Sequence, residues 1–378
     1  MPEHIPTLLF IDQYGQIGGG QRILLDLVAA ANTRGWQVHV LCPVGPLEEE
    51  VRHAGGEPHP LTLPSMRDGP KSVFAFLRGW QTSRRIAKEY ASLAQGCDLI
   101  VVNGPRTLAI ARAWVRTLKK PALLYLHKQY GRAETMLVRF FLALPRTAAV
   151  AVSALVAQPL RDLSNVHLIH NWVSAAFLEE PVSADHLRQT LKIIDTHPII
   201  LVPGRFSPLK GQLLVLEASK LLSDIPCHVL FAGAPLFEKE GREVEVRLHE
   251  ESERQPQRIH LLHWKESMPA LYDGADIVVV PSVWEEPFGL TAVEAMARSR
   301  PLIVTDRGTL PEIADGGRMA QVVLANAEAI AAALRTFFVD RQMWKERAER
   351  AHTYVEEQFH PQKLQQQVFD VCASLLSS

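Results

Sequence analysis

Short, continuous apolar runs alternate with helical patterns along almost the whole chain. Thr7–Ile11, Gln37–Leu41, Leu99–Val102, Ala122–Leu126 and Ala148–Val152 are rich in branched residues and often continuous. Strands covered on both faces of a parallel sheet require such runs. Between them the spacing predicts helices. One runs from about Gly20 to Thr33 and places Ile23, Leu24, Leu27, Val28 and Ala31 on one face; others cover about Ser72–Ala94 and Arg106–Leu118. The pattern weakens over residues 170–195 and then restarts. Ile199–Val202, His228–Ala232, Ile259–Leu262, Ile277–Val280 and Pro301–Val304 read as strands, with helices starting near Lys210, Phe237, Ser267 and Gly289. Helices over about Ala327–Phe338, Arg341–Glu357 and Pro361–Leu376 complete the chain. Two successive β/α series predict an α/β protein of two doubly wound domains, divided at 1–180, 181–357 and a last helix at 358–378. Ligands of such sheets bind at the carboxyl ends of the strands, so a cleft between two facing domains is the expected site.

Composition narrows the class. With 378 residues, 47% apolar and 21% charged, the chain is an ordinary globular protein long enough for a sizeable core. A net charge of −1 argues against bulk nucleic-acid binding. The charge is unevenly placed. Residues 1–180 carry 19 Lys/Arg and 14 Asp/Glu, and the window 104–146 holds nine cations against the single acid Glu134. Such a window attracts an anionic substrate or membrane surface, or is a solvated helix face. Cys42, Cys97, Cys227 and Cys372 have neither metal-ligand spacing nor the look of a disulfide framework, and read as reduced thiols of a cytoplasmic protein. The N-terminus lacks the features of a signal peptide, and no apolar run approaches the ~20 residues of a membrane span.

Three stretches carry chemistry. The first is the loop Gly15-Gln16-Ile17-Gly18-Gly19-Gly20 after the first strand. Glycines let a backbone approach a phosphate or sugar, and the following helix start presents N–H groups to an anion. The spacing excludes a nicotinamide dinucleotide fingerprint and a phosphate-binding P-loop. The second is Gly204-Arg205 with Lys210-Gly211 after strand Ile199–Val202, two cations that suit a diphosphate. The third runs from Pro281 to Glu294. A buried strand enters a Pro- and Gly-containing loop bearing Glu286, and a helix from about Gly289 carries Glu294. The carboxylates flank a helix start and suit sugar hydroxyls on either side of a bound phosphate.

Glu286 and Glu294 resemble the E-x7-E motif of family-4 glycosyltransferases, which are retaining, nucleotide-sugar-dependent enzymes of the two-Rossmann GT-B fold. The resemblance extends along most of the chain: Gly18-Gly19-Gly20, Gly204-Arg205 with Lys210-Gly211, Leu230-Phe231-Ala232-Gly233-Ala234-Pro235, and Pro311-Glu312-Ile313. The chain departs from the family pattern at Asn171-Trp172, His263, Ser299 and Arg307-Gly308. The resemblance implies an N-terminal acceptor domain, a C-terminal donor domain and a last helix returning to the first. It implies that Arg205 and Lys210 neutralise the donor diphosphate. Glu286 would hold a sugar hydroxyl, with N–H groups around Phe288, Gly289 and Leu290 and neighbouring Thr291. Glu294 would hold the ribose, with Gly233 lining the donor site. Gly18 and Gly19 would approach the diphosphate from the other domain, and His127 matches the family's sugar-contacting histidine.

These assignments describe transfer of a hexose-type sugar from a nucleoside-diphosphate sugar to a glycan or lipid-linked acceptor. Arg205, Lys210 and helix N–H groups can absorb the leaving group's charge, and no Asp-x-Asp sequence occurs, so no metal or other cofactor is expected. Two rival readings remain: a sugar-nucleotide epimerase of the same fold, and a non-catalytic nucleotide-sugar-binding protein. The cationic window with Met136-Leu137-Val138-Arg139-Phe140-Phe141-Leu142 suggests loose attachment to an anionic membrane at its cytoplasmic face. The alternative places Phe140, Phe141 and Leu142 in the core.

Overall fold

The computed structural model describes residues 4–63, 73–235, 239–263 and 267–377. The chain divides into two units, Met1–Asn171 with Gln362–Ser378, and Trp172–Pro361. In the first unit β1 (Thr7–Asp12), β2 (Gln37–Cys42), β3 (Glu57–Pro60), β4 (Leu99–Asn103), β5 (Ala122–Leu126), β6 (Thr147–Ala151) and β7 (Val166–Leu168) form a parallel sheet in the order β3-β2-β1-β4-β5-β6-β7. In the second, β8 (Ile199–Pro203), β9 (His228–Ala232), β10 (Ile259–Leu262), β11 (Ile277–Val280), β12 (Leu302–Thr305) and β13 (Gln321–Val323) pair in parallel as β10-β9-β8-β11-β12-β13. Strand order reverses between β1 and β4, and again between β8 and β11. Those are the points where open α/β sheets receive ligands.

Burial explains the strands. Every residue of β4, β5, β6, β8, β9, β11 and β12 is buried. Each fully buried Val, Leu or Ile contributes about 1.5–3 kcal/mol, an upper figure for a compact unfolded chain. The sequence pattern does not predict β3, β7 or β13, and all three are edge strands. β3 reads Glu-Pro-His-Pro, and proline is tolerated where a strand lacks a neighbour on one side. β7 and β13 have only three residues each.

Helices follow the periodicity, with local corrections. The helix Gly19–Thr33 buries Ile23, Leu24, Leu27, Val28 and Ala31, the face expected. The expected helix over Ser72–Ala94 is two helices, Val73–Glu89 and Ala91–Gly96, split where the Tyr90 hydroxyl donates to the Pro60 carbonyl; Ser72 lies outside the described residues. The helix expected near Lys210 begins at Gln212, because Gly211 takes a left-handed conformation between it and the 3-10 turn Pro208–Lys210. The start expected near Phe237 lies outside the described residues, and the helix is described over Lys239–Arg254. Ser299 is left-handed as well, with φ of 52°.

The unit boundary falls between Asn171 and Trp172, earlier than the 180/181 division read from the sequence. Val173 N–H donates to the Phe359 carbonyl, and buried Arg298 donates to Asp273 and to the carbonyls of Phe177 and Glu179, so the weakly patterned stretch is tied into the second unit. The last helix, Pro361–Ser377, contributes to the first. Trp36 meets Phe369 edge-on, and Arg34 lies 4.1 Å from that ring's centre while donating to Gln366. All four cysteines are buried and unpaired. No described helix is long and apolar enough to cross a membrane.

A pair of glycines tests the packing at the second switch point. Gly35 has φ of 75° with open space around a built Cβ, whereas Gly211 has φ of 69° and its Cβ would lie 2.0 Å from the Pro281 carbonyl oxygen. Gly35→Ala should cost about 1–2 kcal/mol from the left-handed backbone alone, and Gly211→Ala about 3 kcal/mol or more, because the β11 exit must move as well. Denaturant titration of the two variants measures the difference.

Candidate functional site

Candidate residues gather at the carboxyl ends of the central strands, one group in each unit. In the second unit β8 runs into Gly204 and Arg205, and β11 into Pro281 and Ser282. Gly233, just past β9, lies against the Gly204 carbonyl and donates its N–H to Leu262. Arg205 is half-buried, and its carbonyl accepts from the Gln212 side chain.

The core of this group is an ion pair. Lys210 Nζ donates to both Glu286 oxygens at 2.9 and 2.8 Å, and Ser282 Oγ and Trp284 Nε1 donate to Oε2 at 2.8 and 3.1 Å. Burial alone would raise the Glu286 carboxyl. The adjacent Lys210 charge, the Lys210 hydrogen bonds and those of Ser282 and Trp284 outweigh it, and the pKa is lowered. The sequence reading gave the two residues separate ligands; the structure brings them together. An ammonium has three N–H donors, and Glu286 takes two of those of Lys210 among the described residues.

The loop is braced from behind. Thr309 N–H donates to the Glu286 carbonyl and its hydroxyl to Pro287, while Thr305 Oγ1 donates to the Ser282 carbonyl. The helix Leu290–Ala297 starts at Gly289, which has no side chain to cap it. Its first internal bonds run from Ala292 and Val293 N–H to the Gly289 carbonyl, so the N–H groups of Leu290 and Thr291 precede the helical ladder. Phe288 is buried edge-on to Phe359. Glu294 is buried on the same helix, where the Tyr272 hydroxyl donates to its Oε2 at 2.7 Å.

The first unit holds Gly18, Gly19 and His127. Gly18 caps the helix Gly19–Thr33 and donates its N–H to Gln21 Oε1 at 3.1 Å. His127 follows β5, stacks on Tyr125 at 4.8 Å and places Nε2 2.6 Å from Asn103 Oδ1. Burial lowers its pKa to about 4. Behind it lies a residue that the sequence reading did not single out, Asp12. It is fully buried at the end of β1, beside its register partner Asn103 at the end of β4. Burial raises its pKa to about 6, against the hydrogen bonds from Asn103, the Tyr14 N–H and Gln21. Keeping Asp12 ionised at neutral pH therefore costs about 2–3 kcal/mol of stability. The available signal was a polar residue closing an apolar run, Asp12 after Thr7–Ile11 and Asn103 after Leu99–Val102.

Among the described residues, two further clusters have ligand atoms close enough to hold a cation: His39, Glu57 and His59 across β2 and β3, and Asp195, His197 and His228 near β9. Their members already pair with one another or with His260, at 2.9 to 3.7 Å.

Comparison with known proteins assigns the family. Residues 17–177 match the sequence profile described as Glycosyltransferase Family 4, and residues 183–357 that of Glycosyl transferases group 1. The chain belongs to the family-4 glycosyltransferases. It is 32% identical over 148 residues to the lipopolysaccharide 1,2-N-acetylglucosaminetransferase of Salmonella typhimurium, covering 35% of this chain and 36% of the relative. It is also 32% identical over 176 residues to the D-inositol 3-phosphate glycosyltransferase of Mycolicibacterium smegmatis, covering 44% and 38%. The chain thus spans somewhat over a third of the length of these curated relatives. Anabaena HepE, solved with UDP and glucose, has the same fold at a TM-score of 0.81 and 20% identity, covering 98% of this chain and 100% of that one. Two parallel Rossmann-like sheets of these strand orders match the GT-B fold.

The ion pair yields a test. Lys210→Met leaves Glu286 buried without its counter-charge. The Glu286 pKa should rise above the ordinary carboxylate range, and stability near neutral pH should fall by about 3 kcal/mol. In the wild type the lowered pKa contributes stability that is present above the unfolded carboxyl's pKa and is lost as pH falls through the folded value. Denaturant unfolding from neutral to acid pH should show that loss in the wild type, and the variant should lack it.

Proposed function

We propose that this chain transfers a hexose-type sugar from a nucleoside-diphosphate sugar to a glycan or lipid-linked acceptor, with retention of configuration and without a metal ion. One observation carries the reading. A charge-matched Lys210–Glu286 pair lies at the strand-order reversal of the second sheet, in the chain segment that also holds an uncapped helix start and a second buried carboxylate. The relatives support a nucleotide-sugar donor: HepE was solved with UDP and glucose, and the Salmonella relative is named for N-acetylglucosamine transfer.

In this reading Arg205, the third N–H of Lys210 and the Leu290 and Thr291 N–H groups receive the donor diphosphate. Cations and helix N–H groups stabilise charge that grows on the leaving group, which removes the need for a divalent ion. Glu286 accepts from a sugar hydroxyl and Glu294, oriented by Tyr272, from the ribose. Gly233 lines the donor site beside Phe288 and Gly289. Gly18 and Gly19 approach the diphosphate, and His127 contacts the sugar. The bond from the anomeric carbon to the phosphate oxygen breaks as the acceptor oxygen bonds to that carbon from the same face. The acceptor's proton passes to the departing phosphate.

Thermal unfolding against a panel of nucleoside diphosphates tests the donor. A ligand at about 100 times its dissociation constant adds roughly 2.7 kcal/mol. No shift with any diphosphate overturns the reading, turnover without an acceptor indicates an epimerase, and binding without turnover a non-catalytic protein. Arg205→Ala should lose at least about tenfold in transfer, since hydrogen bonds to charged groups are worth about 1.5–3 kcal/mol. Glu294→Gln should weaken nucleotide binding, and Glu286→Gln should chiefly lower transfer.

The acceptor side carries a membrane contact in the same proposal. The helix Arg132–Leu142 buries Val138, Phe141 and Leu142 and leaves Met136, Leu137 and Phe140 61%, 55% and 64% exposed. The exposed three share one face, and Arg112 lies 5.9 Å from the Phe140 ring centre. Arg139 is taken by Asp162, so the attraction falls to the other cations of the window. Each cation near an anionic surface contributes on the order of 1 kcal/mol. Co-sedimentation with anionic vesicles should rise at low salt and fall with Phe140→Ser. No binding at low salt defeats the membrane contact.

A further inference from the structure

We propose that Asp12 and Asn103 are positioning residues. They fix His127 in its neutral Nε2–H form, so that its shielded Nδ1 accepts a hydrogen bond from a hydroxyl of the bound saccharide. This rests on the reading of the site given under Proposed function.

The chain of donors and acceptors leaves one solution. An ionised carboxylate only accepts, and Asp12 Oδ1 takes the Tyr14 N–H at 2.7 Å. Gln21 must turn its amide nitrogen to Asp12, at 3.1 Å from both oxygens, because its own oxygen receives the Gly18 N–H. Asn103 must likewise turn its nitrogen to Asp12 Oδ2, at 2.5 Å, with the Gly20 carbonyl at 3.4 Å. Its oxygen is therefore the atom facing His127 Nε2, and Nε2 carries the proton.

The other ring nitrogen is left as a lone pair. Nδ1 is shielded from solvent and has no hydrogen-bond partner among the described residues. The ring cannot easily turn to find one. Tyr125 stacks on it, and a Cβ at Gly20 would come within 3.2 Å of Cδ2. A buried acceptor without a partner calls for a specific explanation, and a ligand hydroxyl supplies one. A sugar that presents a carboxylate at this point would set lone pair against lone pair. The site should therefore favour a neutral hydroxylated sugar over a uronate there.

One atom decides the test. In Asp12→Asn the new oxygen keeps the Tyr14 N–H, which puts an amide nitrogen where Oδ2 faced Asn103. The Asn103 amide must then flip and offer its nitrogen to His127 Nε2, and the ring proton moves to Nδ1. Nitrogen-15 spectra of histidine-labelled full-length chain report the tautomer directly. The wild type should show Nε2–H and Asp12→Asn should show Nδ1–H. Sugar transfer should fall roughly tenfold or more through kcat, with nucleoside-diphosphate affinity preserved. The double variant Asp12→Asn with Asn103→Asp restores donor and acceptor order, and should restore both the Nε2–H form and transfer above neutral pH. Should Asp12→Asn fail to fold, Asn103→Leu should lose the protected Nε2–H signal and transfer together. An unchanged tautomer in Asp12→Asn, or an inverted one with wild-type transfer, overturns the proposal. A wild-type chain with the Nε2–H form but no transfer on any nucleotide sugar defeats the functional reading and the saccharide role with it. The spectra and the transfer assay therefore separate the two failures.

Discussion

A parallel strand covered on both faces has no room for an unpaired charged side chain along its length. Burying one without a partner costs several kcal/mol. Chemistry is pushed to the last residue of the strand or to the loop just beyond it. Both sheets obey this. Asp12 and Asn103 close β1 and β4, His127 follows β5, Arg205 follows β8 by one glycine, and Ser282 follows β11 by one proline. The reversal of strand order draws the two adjacent helices to opposite faces, so those ends stay open.

Charge is handled differently in the two units. In the second, Glu286 is buried yet its pKa is lowered, because Lys210, Ser282 and Trp284 all point donors at it. The pair is matched charge, and the Glu286 carboxylate holds the Lys210 ammonium in a fixed position. Close backbone approaches make this geometry. Gly211 lies on the Pro281 carbonyl, and Gly308 lies against the backbone of Glu286.

In the first unit no cation among the described residues pairs with the buried Asp12 carboxylate, and burial raises its pKa to about 6. Amide donors hold Asp12 in place and only partly offset its burial. Hydrogen-bond order passes from it in two directions, through Gln21 to the glycine loop and through Asn103 to His127. A fold retains such a costly group where its directional bonds set something else in place, and here both outputs are candidate ligand-contacting elements.

The interior strands were legible in the sequence because burial on both faces demands unbroken runs of branched residues. β5 (Ala122–Leu126) and β11 (Ile277–Val280) have the bounds the pattern predicts. Three of the four edge strands escaped it: Glu-Pro-His-Pro at β3 satisfies only one neighbour and needs no apolar run, whereas the edge strand β10 keeps one and was legible. Glu286, Glu294, Arg205 and Lys210 were legible as residue types at a recognisable spacing. Their partnership was not, because Lys210 and Glu286 are 76 positions apart and meet only when β8 and β11 pair. The same holds for Asp12 and Asn103, 91 positions apart and brought side by side by the β1–β4 register. Local sequence fixes which stretches are buried and which residues end them, because periodicity and propensity act over neighbours. Which ends become neighbours, and hence which charges neutralise one another and which proton a histidine carries, follows from strand order, and only the tertiary structure decides that.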